Sequence, residues 1–154
     1  MTVVTRCLLA TALVVAMLLG VSACEEDSSS LHPSELTLAR SRWSSSGMRS
    51  YTMVQRRICY CMLGGRDVEI TVVDGTPRRG VLRDTGDSLT TEQLSWYRTV
   101  DELFAFIDSL RAHEPAEWSA EYDPRLGYPL RISVDYSRAL ADDEIEFHTS
   151  DVRH

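Results

Sequence analysis

The first 24 residues decide how much of this chain has to fold, and in what surroundings. One basic residue, Arg6, precedes an uncharged, largely apolar run from Cys7 to Val21. Small residues follow in Val21-Ser22-Ala23-Cys24, and polarity jumps at Glu25-Glu26-Asp27-Ser28-Ser29-Ser30. Basic start, apolar run, small residues and polar exit are the layout of an export signal. The run is shorter than the roughly 20 residues a spanning helix needs. It fits the roughly 7–15 of a signal core. The charges that follow are acidic, so no basic cluster holds the segment at a cytoplasmic face.

Val21-Ser22-Ala23-Cys24 resembles the lipobox cut immediately before its cysteine. Residues 1–23 therefore read as a lipoprotein signal peptide, and Cys24 as the lipidated mature N-terminus. Acyl chains on Cys24, of which palmitate is one, contribute about 0.8 kcal/mol per buried methylene, and two chains anchor stably. The expected partner at this end is a membrane, with the protein outside the cytoplasm. Residues 24–30 are acidic and serine-rich and read as the anchor and a flexible tether. Residues 31–154 remain, one domain of ordinary size.

Charge narrows the partners. The 16 basic residues face 23 acidic ones, and all 16 are arginine. Removing Arg6 with the signal lowers the formal net charge of −7 by one more unit. Such a balance gives nucleic acid no basic face to bind. An acidic, solvated surface remains.

The pattern of the domain alternates helix and strands. Ser34 opens a helix with Leu36, Ala39 and Trp43 on one face, ended by Ser44-Ser45-Ser46-Gly47. Tyr51 to Cys61 reads as a strand with Val54 and Ile58 on one face and Met53, Cys59 and Cys61 on the other. Val68, Ile70 and Val72 mark a second strand, closed by Asp74-Gly75, and Arg79–Arg83 a short third. Thr90 and Gln93 suggest a short capped helix. Thr99 and Glu102 form a capping box before a stripe of Val100, Leu103, Phe104, Ile107 and Leu110. Strands through Trp118–Tyr122, Leu130–Val134 and Ile145–Phe147 close the chain. The order α-βββ-α-βββ predicts an α+β fold, an antiparallel sheet with two main helices on one face. Glu69-Ile70-Thr71-Val72 echoes Arg131-Ile132-Ser133-Val134, a pattern that reads as a diverged internal repeat.

Only one pair of side chains suggests reactivity. Cys59 and Cys61 remain after Cys7 and Cys24 are accounted for, in an oxidising compartment. In an extended strand their Cα atoms stand about 6.5–7 Å apart, at the limit of about 6.8 Å for a disulfide. Three readings stand: a disulfide, two free cysteines packed as small hydrophobes, or a redox or soft-metal site. His32, His113, His148 and His154 have no metal-ligand spacing, and no nucleophile, phosphate-loop or zinc motif occurs. Asp142-Asp143-Glu144 reads as a solvated turn. No metal, cofactor or catalytic residue is expected.

The run Glu121-Tyr122-Asp123-Pro124-Arg125-Leu126-Gly127-Tyr128-Pro129 reads as a hairpin. Gly127 suits a positive φ and Pro129 fixes the entry to the next strand. Tyr122, Asp123, Gly127, Tyr128 and Pro129 are also candidates for an exposed recognition surface. With Cys59-Tyr60-Cys61, Val72-Val73-Asp74-Gly75, Thr99–Phe104 and Asp142-Asp143-Glu144, this run resembles a family of bacterial lipoproteins and secreted proteins known as a domain of unknown function. The resemblance spans most of residues 36–152. It implies an exported single domain and supplies no activity. The functional expectation is a lipid-anchored, non-enzymatic cell-envelope module that binds a protein or wall component. The alternative is a thiol redox or soft-metal protein using Cys59 and Cys61.

Overall fold

The computed structural model describes residues 34–139 and 143–154. Residues 1–23, read above as a signal peptide, Cys24, the expected tether of residues 25–30, His32 and Asp142 lie outside the described residues. Helix α1 spans Glu35–Ser46 and is followed by strands β1 (Tyr51–Ile58), β2 (Asp67–Val73) and β3 (Thr76–Leu82). Helices α2 (Thr91–Leu94) and α3 (Val100–His113) come next, then β4 (Glu117–Tyr122), β5 (Pro129–Asp135) and β6 (Ile145–Arg153). The six strands form one antiparallel sheet in the order β3-β2-β1-β6-β5-β4. The fold is α+β, as the alternation of helix and strand predicts.

Two meanders meet at β1 and β6. Residues of the sequence echo occupy the middle strand of each half, where Ile70, Val72, Ile132 and Val134 are all buried. The halves join through β1 and β6, so the first strands of the two halves do not meet.

Period-two patterning sorts the sheet into two faces. Tyr51, Met53 and Gln55 stand beside Val72, Ile70 and Val68 on β2. Ile132 stands beside Phe147, and Trp118 beside Val134. These residues and the stripe of α3 make the core. Full burial of a side chain such as Ile132 or Phe147 is worth about 1.5–3 kcal/mol. Helix α1 has a weaker apolar face and is held in part through Trp43. Trp43 sets its ring edge-on to Tyr51 at 5.3 Å, and its indole N–H donates to Asp101 Oδ1 at 2.9 Å.

Capping boxes start both later helices. Thr90 pairs with Gln93, and Thr99 with Glu102. The next donor of α3, the Val100 N–H, goes to the buried Tyr51 hydroxyl at 2.9 Å.

Three strand expectations are corrected. Strand β1 ends at Ile58, so Cys59 and Cys61 lie in the turn beyond it. Ile58 is 43% exposed rather than buried, while Val54 on the same face is covered. Strand β3 starts at Thr76, three residues earlier than its sequence pattern suggests. A bulge also interrupts β6 opposite Thr52–Val54, with Asp151 at φ 52°. It returns Val152 to the core and leaves Arg153 exposed.

Candidate functional site

Helices cover one face of the sheet, and the other carries ordered charge. Arg56 forks onto Asp67, its register neighbour, at 2.8 and 2.9 Å. Arg131 forks onto Glu146 at 3.2 and 2.9 Å, and His148 Nε2 meets the same carboxylate at 2.7 Å. Arg153 reaches Glu69 at 3.0 Å and Arg83 reaches Asp151 at 3.2 Å. Arg56, Glu146 and His148 sit at even positions of β1 and β6, and Asp67, Glu69 and Arg131 at the matching positions of β2 and β5, where alternation aims them away from the core. Arg153 joins them through the β6 bulge, opposite Thr52, and Arg83 lies just beyond β3. Val54 and Ile58 are apolar residues of the same face; Val54 is the covered one. It lies at a shallow recess of about 280 Å³ shared with Arg56, Arg83, Leu130 and His148.

Arginine sets the titration of this face. The Arg131 hydrogen bonds hold the Glu146 carboxyl below the ordinary carboxylate range, with His148 adding to the effect. Arg56 does the same to Asp67. Ser133, Glu146 and His148 form a chain, but the carboxylate stands between the hydroxyl and the imidazole. A nucleophilic triad needs the imidazole in the middle, taking the hydroxyl proton. A carboxylate committed to Arg131 is also a weak base.

The two sequence motifs occupy opposite ends of the sheet. Strand register places Tyr122 and Pro129 at the end where β1 begins, and Cys59 at the end where it stops. Cys59 and Cys61 are bonded, with Cα atoms 5.2 Å apart. The turn after β1 brings them closer than an extended strand allows. Gly64 closes this turn where a Cβ would stand 2.5 Å from the Cys59 carbonyl oxygen. Tyr60, 89% exposed, and Met62 project from it.

In the other motif, Asp123 Oδ1 accepts from the backbone N–H groups of Arg125 and Leu126. The Asp123 N–H donates to the Tyr128 carbonyl, and the Gly127 N–H to the Asp123 carbonyl. Tyr128 and Pro129 are buried, and Tyr122 stacks on Phe104 at 6.3 Å. Burial raises the pKa of both tyrosines above its ordinary value. Gly127 has φ 82°, and a Cβ there would stand 2.1 Å from the Ala39 carbonyl oxygen. The hairpin thus fixes α1, and its exposed part is Pro124 and Arg125.

His148 lies on β6, His113 ends α3 against the Ser109 carbonyl, and His154 is the last residue. Among the described residues no cluster of histidine, cysteine and carboxylate is arranged to hold a metal. No helix among them is long and apolar enough to cross a membrane. The charged face went unrecognised in the sequence. Its only signal was the polar half of each strand's alternation, which marks a face but not the pairing across it.

Fold and surface together define a one-sheet α+β domain with a covered face and an open, charged one. The chain belongs to the Family of unknown function (DUF6174), whose model matches residues 35–154. No curated protein and no solved structure matches it.

Proposed function

We propose that the protein is a lipid-anchored envelope module, held at Cys24, whose domain binds a charged partner on the open face of its sheet. The observation that carries this reading is the one-sided fold. Its uncovered side is a lattice of arginine–carboxylate pairs around Val54. Exposed ion pairs add little to stability, about 0–1 kcal/mol each, so folding alone does not account for so many. Opposite charges alternating over a rigid sheet complement a partner that is itself charged, such as an envelope protein or wall component. Residues 1–24, read as an export signal with its lipidation cysteine, would bring such a module among those partners.

The test is charge reversal on the two faces. Arg56→Glu with Arg131→Glu should abolish crosslinking of the native protein to its envelope partner. Arg111→Glu, on the exposed side of α3, should leave it intact. Equal crosslinking in all three proteins would remove the open face from the reading.

The Cys59–Cys61 bond favours the second reading, a thiol redox protein. Its turn is exposed at Cys61. Reduction would take two electrons and two protons from a dithiol donor and leave two thiols. Thiol titration of protein taken from its native envelope decides this. A mixed population of bonded and reduced protein favours redox cycling, and a uniformly bonded one favours a structural staple.

A further inference from the structure

We propose that Arg57, Arg98 and Tyr97 form a binding site for a phosphate group carrying two negative charges, beside the Cys59–Cys61 turn. The site is separate from the open face and does not depend on its role. It begins with a contrast among the arginines. Arg40, Arg56, Arg66, Arg83, Arg131 and Arg153 each hold a carboxylate. The other arginines of the described residues are exposed to water, except Arg57 and Arg98. Those two are half-buried, and among the described residues neither is in an ion pair.

Aromatic rings fix both guanidinium groups. Arg57 continues the covered face of β1 and lies 5.8 Å from the centre of the Tyr97 ring. Its register neighbour on β6 is Phe147. Arg98 lies 4.7 Å from Phe106 and 5.6 Å from that same Phe147. The backbone of Arg98 is clamped by Gln55, which is fully buried. Gln55 Oε1 accepts from the Arg98 N–H and Gln55 Nε2 donates to the Arg98 carbonyl, each at 3.0 Å. Stacking occupies the flat face of a guanidinium and leaves its N–H edge free.

The Nε atoms of Arg57 and Arg98 are buried without a hydrogen-bond partner, and so is the hydroxyl of Tyr97. Tyr97 is only 3% exposed. A buried donor left unpaired is costly, so these three call for an acceptor. Burial, and the nearby charge of Arg98, push the Arg57 guanidinium below its ordinary pKa. Arginine nonetheless stays charged at neutral pH. Two like charges brought together need an anion, and guanidinium forks fit phosphate oxygens two at a time. A phosphate ion or monoester carries about −1.5 to −2 at neutral pH and balances both. A carboxylate or phosphodiester leaves one charge over.

The experiment is thermal melting and calorimetric titration of the full chain in detergent, at low ionic strength. Inorganic phosphate is the probe, glycerol phosphate the monoester, and acetate and dimethyl phosphate the monoanions. Phosphate should raise the melting temperature with concentration. Arg57→Gln and Arg98→Gln should each weaken binding by about tenfold or more, with exposed Arg78→Gln unchanged. Tyr97→Phe keeps the ring and the fold, and should weaken binding by a smaller factor. Tighter binding of glycerol phosphate than of free phosphate identifies a monoester as the ligand, and the reverse order the free ion. No response to phosphate, binding undiminished in the Arg57, Arg98 and Tyr97 variants, or monoanions binding equally well would overturn the proposal.

Discussion

Tyr51 links three elements through one side chain. Its ring takes the edge of Trp43 and its hydroxyl accepts the Val100 N–H at the start of α3. Burial pushes its pKa up to about 12 from 10.0. The unfolded chain therefore loses this proton first as pH rises. The stability tied to it is complete below pH 10 and is lost as pH climbs toward 12, about 3 kcal/mol over the window. Tyr97, Tyr122 and Tyr128 shift in the same direction. Tyr51→Phe should cost about 1–3 kcal/mol at neutral pH, because a buried N–H loses its acceptor. It should also flatten the alkaline limb of stability, measured by urea unfolding between pH 8 and 12. An unchanged limb would mean that Tyr51 is not the group responsible. Gly127 was legible in the sequence as a turn glycine. Its contact with α1 was not, because a positive φ is a local property and the approach of Ala39 is a tertiary one. Gly127→Ala should cost about 1–3 kcal/mol in backbone strain alone, and more as α1 is pushed outward.

Elements with strong local patterning could be read from sequence, and those decided by a neighbour could not. The apolar stripe of α3 is buried at each expected position, because a 3.6-residue period and a capping box belong to the helix itself. Thr99→Ala should cost about 1 kcal/mol, seen as a lower melting temperature. The end of β1 was misplaced because Ile58-Cys59-Tyr60-Cys61 keeps strand-like composition. Pairing with β6 stops at Glu146, and the chain turns there. The consequence is an inverted pair of stabilities. Val54→Ala should cost about 1.5–3 kcal/mol and Ile58→Ala about 1 kcal/mol or less. Equal losses would show that Ile58 is covered in solution. Replacing Cys59 and Cys61 together by serine should leave a folded domain with a slightly lower melting temperature, since so short a loop restrains little of the unfolded chain.

A sheet with one bare face is a poor design for stability alone and a good one for contact. Its charge pairs could not be foreseen, because pairing across β1, β6 and β5 joins residues distant in sequence, such as Arg131 and Glu146. What the sequence does carry is the basis for the proposed address. A chain that ends an apolar run in Val21-Ser22-Ala23-Cys24 and continues with acidic, serine-rich residues has one thiol where lipid would be attached. Two acyl chains are needed for lasting attachment, so losing them should release the domain rather than loosen it. Cys24→Ser should therefore abolish labelling by a radioactive fatty acid and shift the protein from the membrane fraction to the soluble or unprocessed pool. The domain itself, whose first helix starts at Glu35, should keep its melting temperature. Labelling that persists in Cys24→Ser would sink the anchor, and with it the placing of the charged face among envelope partners.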